Sequence, residues 1–152
     1  MDVKIVQANI DDMPEILELQ KLAYQKEAIL YDDWTIPPLT QTLSEIQTEY
    51  ENSVFLKAQW EARIVGSVRA VFDSGTCKIG RLIVHPDYQR QGIGSLLMKN
   101  IESSFPNVKR FELFTGTKSD DNISLYKKIG YKESHQQDLS QKVRIIFMEK
   151  FQ

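Results

Sequence analysis

The sequence predicts an α+β chain: a mixed, mostly antiparallel central sheet of about seven strands with four helices, layered like an α/β sandwich in the order β-α-α-β-β-β-α-β-α-β-β. Three observations predict it. Runs rich in β-branched and aromatic residues alternate with segments whose apolar residues recur every three or four positions. Three such β-rich runs fall within residues 53–84 with only short turns between them, which makes a meander. Residues 76–115 then read as strand, glycine turn, helix and strand, a right-handed crossover if the two strands are parallel.

Each element has its own signal. VKIVQA (3–8) reads as the first strand. In DDMPEILELQKLAYQKEAIL, Asp11 or Asp12 is expected to cap a helix, Pro14 is tolerated in its first turn, and Ile16, Leu19 and Ala23 share one face. YDDWTIPP (31–38) is irregular; after Pro37 and Pro38, the spacing of Leu39, Leu43, Ile46 and Tyr50 predicts a second helix. The meander consists of SVFLKAQW (53–60), RIVGSVRAVF (63–72) and, beyond a Ser74-Gly75 turn, TCKIGRLIV (76–84). Ile93, Leu97, Ile101 and Phe105 mark a third helix that Pro106 and Asn107 close, and RFELFT (110–115) is a strand. NISLYKKI forms a short fourth helix before Gly130, and YKESHQQ and KVRIIFMEKF supply the last two strands.

Composition narrows the function. With 152 residues, 41% of them hydrophobic, the chain has the length of one domain, expected to span 1–152. A net charge of −2 gives no general attraction to nucleic acid or anionic lipid, so neither is expected as a partner, and any polyanion site must be local. Cys77 is the only cysteine, the start MDVKIVQANIDD lacks the pattern of a signal peptide, and no apolar run approaches membrane-spanning length; a cytoplasmic location is expected. Two histidines and one cysteine without ligand spacing predict no metal.

The stretch YQRQGIGSLL places Gly92 and Gly94 where a strand turns into a helix. There the first helical N–H groups have no internal partner and the helix dipole is positive, so an anion is favoured even on an acidic chain. Relaxing a tight turn is an equally good reading of two glycines alone. Known nucleotide fingerprints fail: GxGxxG would need glycine where Leu97 stands, and the spacing of Gly75 and Gly80 is followed by Arg81 and Leu82 rather than Lys and Ser/Thr.

RLIVHPDYQRQGIG resembles the acyl-CoA-binding motif of the GCN5-related N-acetyltransferases, Q/R-x-x-G-x-G/A, at Gln89, Gly92 and Gly94. RIVGSVR resembles the third strand of that family, NISLYKKIGY its fourth helix and IIFMEK its last strand, so the likeness runs over essentially all of 3–151. It implies the acyl-CoA N-acyltransferase fold, acetyl-CoA as acetyl donor and no metal cofactor. It also implies that the backbone of Arg90, Gln91, Gly92, Ile93, Gly94 and Ser95 holds the pyrophosphate. Leu82, Ile83 and Val84 would then present a strand edge to the pantetheine arm, which can add to it as a peptide-like strand. Asn122, otherwise a helix cap, matches a cofactor-binding residue, and Tyr126, four residues on and on the same face, matches the tyrosine that protonates the departing thiolate.

No base follows from the motif. Where many family members carry a carboxylate, this chain has Gly80 and Arg81; Glu112, Glu27, Asp32 and Asp33 remain as candidates, with His85 and His135 read as without a role. Tyr31, Trp34 and the neighbouring carboxylates point to a small cationic amine or an amino-acid-like acceptor, with lysine side chains and protein N-termini as alternatives. An acyl-CoA-binding regulatory module without turnover and a nucleotide-binding protein are the competing classes, and a homodimer is left open.

Overall fold

The computed structural model describes residues 2–152. Its elements are β1 (Lys4–Gln7), α1 (Met13–Ala23), α2 (Gln25–Tyr31), α3 (Pro37–Thr40), α4 (Leu43–Glu51), β2 (Val54–Trp60), β3 (Arg63–Asp73), β4 (Thr76–Val84), α5 (Ile93–Ser103), β5 (Arg110–Gly116), α6 (Asp120–Lys128), β6 (Lys132–Asp138) and β7 (Arg144–Phe151). The seven strands form one sheet in the order β1-β2-β3-β4-β5-β7-β6. Only β4 and β5 are parallel; every other neighbouring pair is antiparallel. The predicted class is that of the structure, and the strands and helices follow the predicted order along the chain except where the two N-terminal helices are divided.

Strand alternation sorts the core into two layers. Phe55 packs with Met13, Ile16 and Ile46 under α1 and α4, whereas its neighbours Leu56 and Ala58 pack with Leu97, Met98 and Ile101 of α5. β3, inside the sheet, is buried from Ile64 to Ala70. At the rim, all seven residues of β6 are exposed, and its ladder to β7 is interrupted between Glu133 and His135.

Both predicted N-terminal helices are divided. The first breaks at Tyr24 into α1 and α2, and the second into the single turn α3 and the longer α4. Its expected cap also moves. Asn9 caps a 3-10 turn, accepting from the Asp11 N–H at 3.0 Å, and Asp12 answers by accepting from the Asn9 N–H; at the start of α1 itself the Asp12 side chain accepts no capping hydrogen bond. Thr42 and Glu45 form a second such box that starts α4. Each box satisfies two otherwise orphaned N–H groups, and so fixes where the helix begins.

Candidate active site

β4 and β5 pair only from Thr76 opposite Arg110 to Lys78 opposite Glu112. Beyond Lys78 they diverge, while β4 remains bonded to β3 as far as Val84 opposite Gly66. The side of β4 that faces β5 is therefore an unpaired edge over its second half. Within that half the β3–β4 register slips, so that Val68 faces both Arg81 and Leu82, and Arg81 takes a left-handed φ of 50°.

α5 begins just beyond β4. Its cap, Gly92, has φ 81° and no side-chain cap, and the first bond within the helix runs from the Leu96 N–H to the Gly92 carbonyl at 3.0 Å. The N–H groups of Ile93, Gly94 and Ser95 thus have no partner inside the helix. A Cβ at Gly92 would meet no protein atom within 4 Å, so the backbone conformation and not crowding requires glycine there. At Gly94 a Cβ would sit at ordinary contact distance, 3.4 Å, from Leu125.

Two clefts meet at the splay. A groove of about 730 Å³ follows the start of α5. Leu82, Ile83 and Val84 of β4 line it, as do Gln89, Arg90, Gly92, Ile93, Gly94 and Ser95, with Asn122 in the α6 wall. Gln91 and Tyr126 do not. Tyr126 instead lines the second cleft, of about 520 Å³, whose walls come from α2, α3, α4, α6 and strands β3, β4, β5 and β7. Tyr24, Glu27, Leu82 and Asn122 belong to both, so the two spaces communicate at these four residues.

Asn122 is not a helix cap: Ser119 holds that place, and the Asn122 amide donates to Thr115 Oγ1 at 3.2 Å from one turn inside α6. Tyr126 is buried, its ring edge-on to Tyr131 at 6.1 Å, and burial, with the nearby Tyr24 and Glu27 adding, pushes its phenol above the ordinary range. Burial likewise raises Tyr24, against the pull of Arg81 and Arg69.

The candidate bases separate clearly. Glu112 is ion-paired with Arg110 at 2.8 Å. Asp32 is exposed, and Asp33 is held low by hydrogen bonds from Thr35; neither lines a cleft, and nor does Trp34, which is 55% exposed. His85 accepts from the Asp87 N–H and His135 stacks on Phe147 at 4.4 Å. Glu27 alone stands where the clefts join, accepting from Ser119 Oγ at 2.7 Å; Ser119 Oγ in turn meets the Tyr31 hydroxyl at 2.8 Å, which also accepts from the Lys118 N–H. Gly116 makes this network possible, because a Cβ there would collide with the Tyr31 hydroxyl.

Tyr24 and the polar floor were not singled out from the sequence. Tyr24, Glu27 and Tyr31 recur at helical spacing, a polar-aromatic stripe that was legible beside the apolar one. The other signal was a charge inside a β-rich run: Arg69, 2% exposed, donates to Glu49 at 2.8 Å and Gln20 at 2.6 Å and lies over the Phe55 ring. Its Nε is the buried side-chain atom without a partner among the described residues.

A splayed parallel pair followed by an uncapped, glycine-started helix offers an open strand edge beside a site that favours an anion. The model of the acetyltransferase (GNAT) domain matches residues 23–151, and the chain belongs to that family; it carries an acyltransferase domain. It is 26% identical over 123 residues to acetyltransferase SG1711 of Sodalis glossinidius, covering 80% of this chain and 81% of that protein. It is 28% identical over 120 residues to the UPF0157 protein YqkA of Bacillus subtilis, covering 79% of this chain but 34% of YqkA, so the chain spans about a third of that relative. The solved PaiA N-acetyltransferase of Thermoplasma acidophilum, in complex with coenzyme A, superimposes with a TM-score of 0.81 at 18% identity over 100% of both chains, a likeness of fold.

Proposed function

We propose that residues 1–152 act as one N-acetyltransferase domain that moves the acetyl group of acetyl-CoA to a primary amine by direct attack, on a small cationic amine or an amino-acid-like acceptor. The observation that carries this reading is the continuity of three features: the free N–H groups of Ile93, Gly94 and Ser95, the unpaired edge of β4, and the junction at Glu27 and Tyr24. A pyrophosphate suits the first and a chain of amides suits the second. The donor supplies an activated acetyl thioester.

The chain's own groups supply the proton handling. An alkyl ammonium, with a pKa of about 10.4, must lose a proton before its nitrogen can attack. In this reading Glu27 accepts that proton, directly or through water, because the other carboxylates lining the cleft, Glu112 and Glu49, are committed to Arg110 and Arg69. Tyr126 stays protonated at neutral pH and donates to the sulfur as the C–S bond breaks, so the products are the N-acetyl amine and the free thiol. Coenzyme A bound to PaiA supports the choice of donor.

Calorimetric titration with acetyl-CoA and with ATP, followed by thiol release over an amine panel, tests the reading. Saturable acetyl-CoA binding, amine-dependent thiol release and no ATP binding are expected. Binding of acetyl-CoA with no release on any amine would make the protein an acyl-CoA sensor instead.

A further inference from the structure

Six charged side chains line the cleft that Tyr126 enters: Glu27, Glu49, Arg69, Lys78, Arg81 and Glu112. Four are neutralised, Arg69 and Glu49 by each other at 2.8 Å, Lys78 by Asp73 at 3.1 Å and Glu112 by Arg110 at 2.8 Å. Among the described residues Glu27 and Arg81 have no ionic partner. Glu27 engages one oxygen with Ser119, and Arg81 gives one nitrogen to the Gln41 amide oxygen at 3.0 Å, so a carboxylate oxygen and most of a guanidinium fork are unused. Both line the same cleft as Tyr24, and both charges act on its phenol.

The backbone adds an independent sign. Arg81 sits at φ 50°, a conformation that disfavours any residue with a Cβ, at a slip in the β3–β4 ladder where the chain could have used glycine. Gly80 stands one residue earlier, where a Cβ would meet nothing within 4 Å. Keeping a strained arginine at this point makes sense when the guanidinium is what the position needs. One stretch of the wall is apolar, with Ile36, Phe114, Val143 and Phe147 lining the cleft and Phe114 54% exposed.

Resting on the acetyl-transfer reading above, we propose that the acceptor is a free α-amino acid with an apolar side chain, its ammonium toward Glu27, its carboxylate on Arg81 and its side chain against the Phe114–Phe147 wall. A zwitterion answers both uncancelled charges at once. A diamine would bring a second cation to Arg81, and a peptide N-terminus would offer a neutral amide where the fork fits a carboxylate. A cleft of about 520 Å³ has room for such a ligand.

The test compares phenylalanine, phenylalaninamide and phenethylamine as acceptors for wild type, Arg81→Gly and Arg81→Lys. Glycine adopts a positive φ without strain, so Arg81→Gly should fold, which its melting temperature and acetyl-CoA affinity check. Wild type should prefer phenylalanine over both analogues in kcat/KM. In Arg81→Gly that preference should shrink about 10- to 100-fold, chiefly through KM, with partial recovery in Arg81→Lys. Calorimetry of phenylalanine binding to the CoA-saturated protein should show the same loss. An unchanged preference in folded Arg81→Gly, or phenethylamine acetylated better than phenylalanine by wild type, overturns the amino-acid assignment and leaves acetyl transfer standing. Thiol release on no amine at all overturns both.

Discussion

On the proposed reading, Tyr126 serves packing and chemistry together. Its ring completes the core beneath α5 and α6, and the divergence of β4 from β5 gives it access to the acceptor cleft. A free phenol is a weaker acid than a thiol by about 1.5 pKa units, so the donation costs about 2 kcal/mol in water. Burial raises the phenol further, but a thiolate confined to the same splay is desolvated as well, and its basicity rises in step. Removing only the hydroxyl should therefore spare the fold and cost rate. In Tyr126→Phe the single-turnover rate should fall by about 10² to 10⁴, with acetyl-CoA affinity and melting temperature nearly unchanged. Tyr24 borders both clefts and supplies the control. A full rate in Tyr126→Phe with the loss appearing in Tyr24→Phe would move the donor to the junction of α1 and α2.

At the scale of elements, the start of α5 is the most exacting piece of local geometry. Because the position of a Cβ at Gly92 is empty and only the positive φ forbids most residues, asparagine should be accepted there by the protein while its side chain intrudes on the anion site. Gly92→Asn is expected to melt close to wild type and to bind acetyl-CoA about tenfold or more weakly; equal affinity measured by calorimetry would place the pyrophosphate elsewhere.

The strands were legible to within a residue or two because Ser74-Gly75, Pro106 and Asn107 punctuate them and because their apolar runs are short. Helix starts were read less well. Asn9 and Thr42 each need a carboxylate three residues on, and the acidic pair Asp11 and Asp12 drew attention away from the first box. The break at Tyr24 has no proline or glycine to announce it, and the apolar spacing continues across it. Least visible was the slip that holds Arg81, since a bulge is a relation between two strands and no single strand's sequence contains it. The groove along the start of α5 is lined by much of one contiguous motif, Gln89 to Ser95, and so could be read; the second cleft is assembled from α2, α3, α4, α6 and four strands, and could not.

Over the whole molecule, buried phenols tie stability to alkaline pH. Burial raises Tyr24, Tyr31, Tyr126 and Tyr131, the last also facing Glu102, to which its hydroxyl donates at 2.8 Å. A raised phenol keeps its proton in the folded state after the unfolded chain has lost it, at about pH 10. The contribution is therefore complete below about pH 10 and is lost as pH rises above it, each such tyrosine adding a slope of up to about 1.4 kcal/mol per pH unit. The melting temperature should fall steeply above about pH 10, and phenolate absorbance should lag until the far-ultraviolet dichroism is lost. Six tyrosines titrating freely near pH 10 in a still-folded protein would contradict the burial of these rings.

The rim strand β6 bears on a different property of the molecule. An open sheet ends in a row of free N–H and C=O groups, and a flat, greasy terminal strand would recruit another copy, then another, into an endless ribbon. Here that strand reads KESHQQD, carries Lys132, Glu133 and Asp138, and is kinked by the irregularity before His135. Charge and kink together make the rim a poor template for stacking, so the same sheet that opens on one side for a ligand can stay colloidally quiet on the other at high concentration.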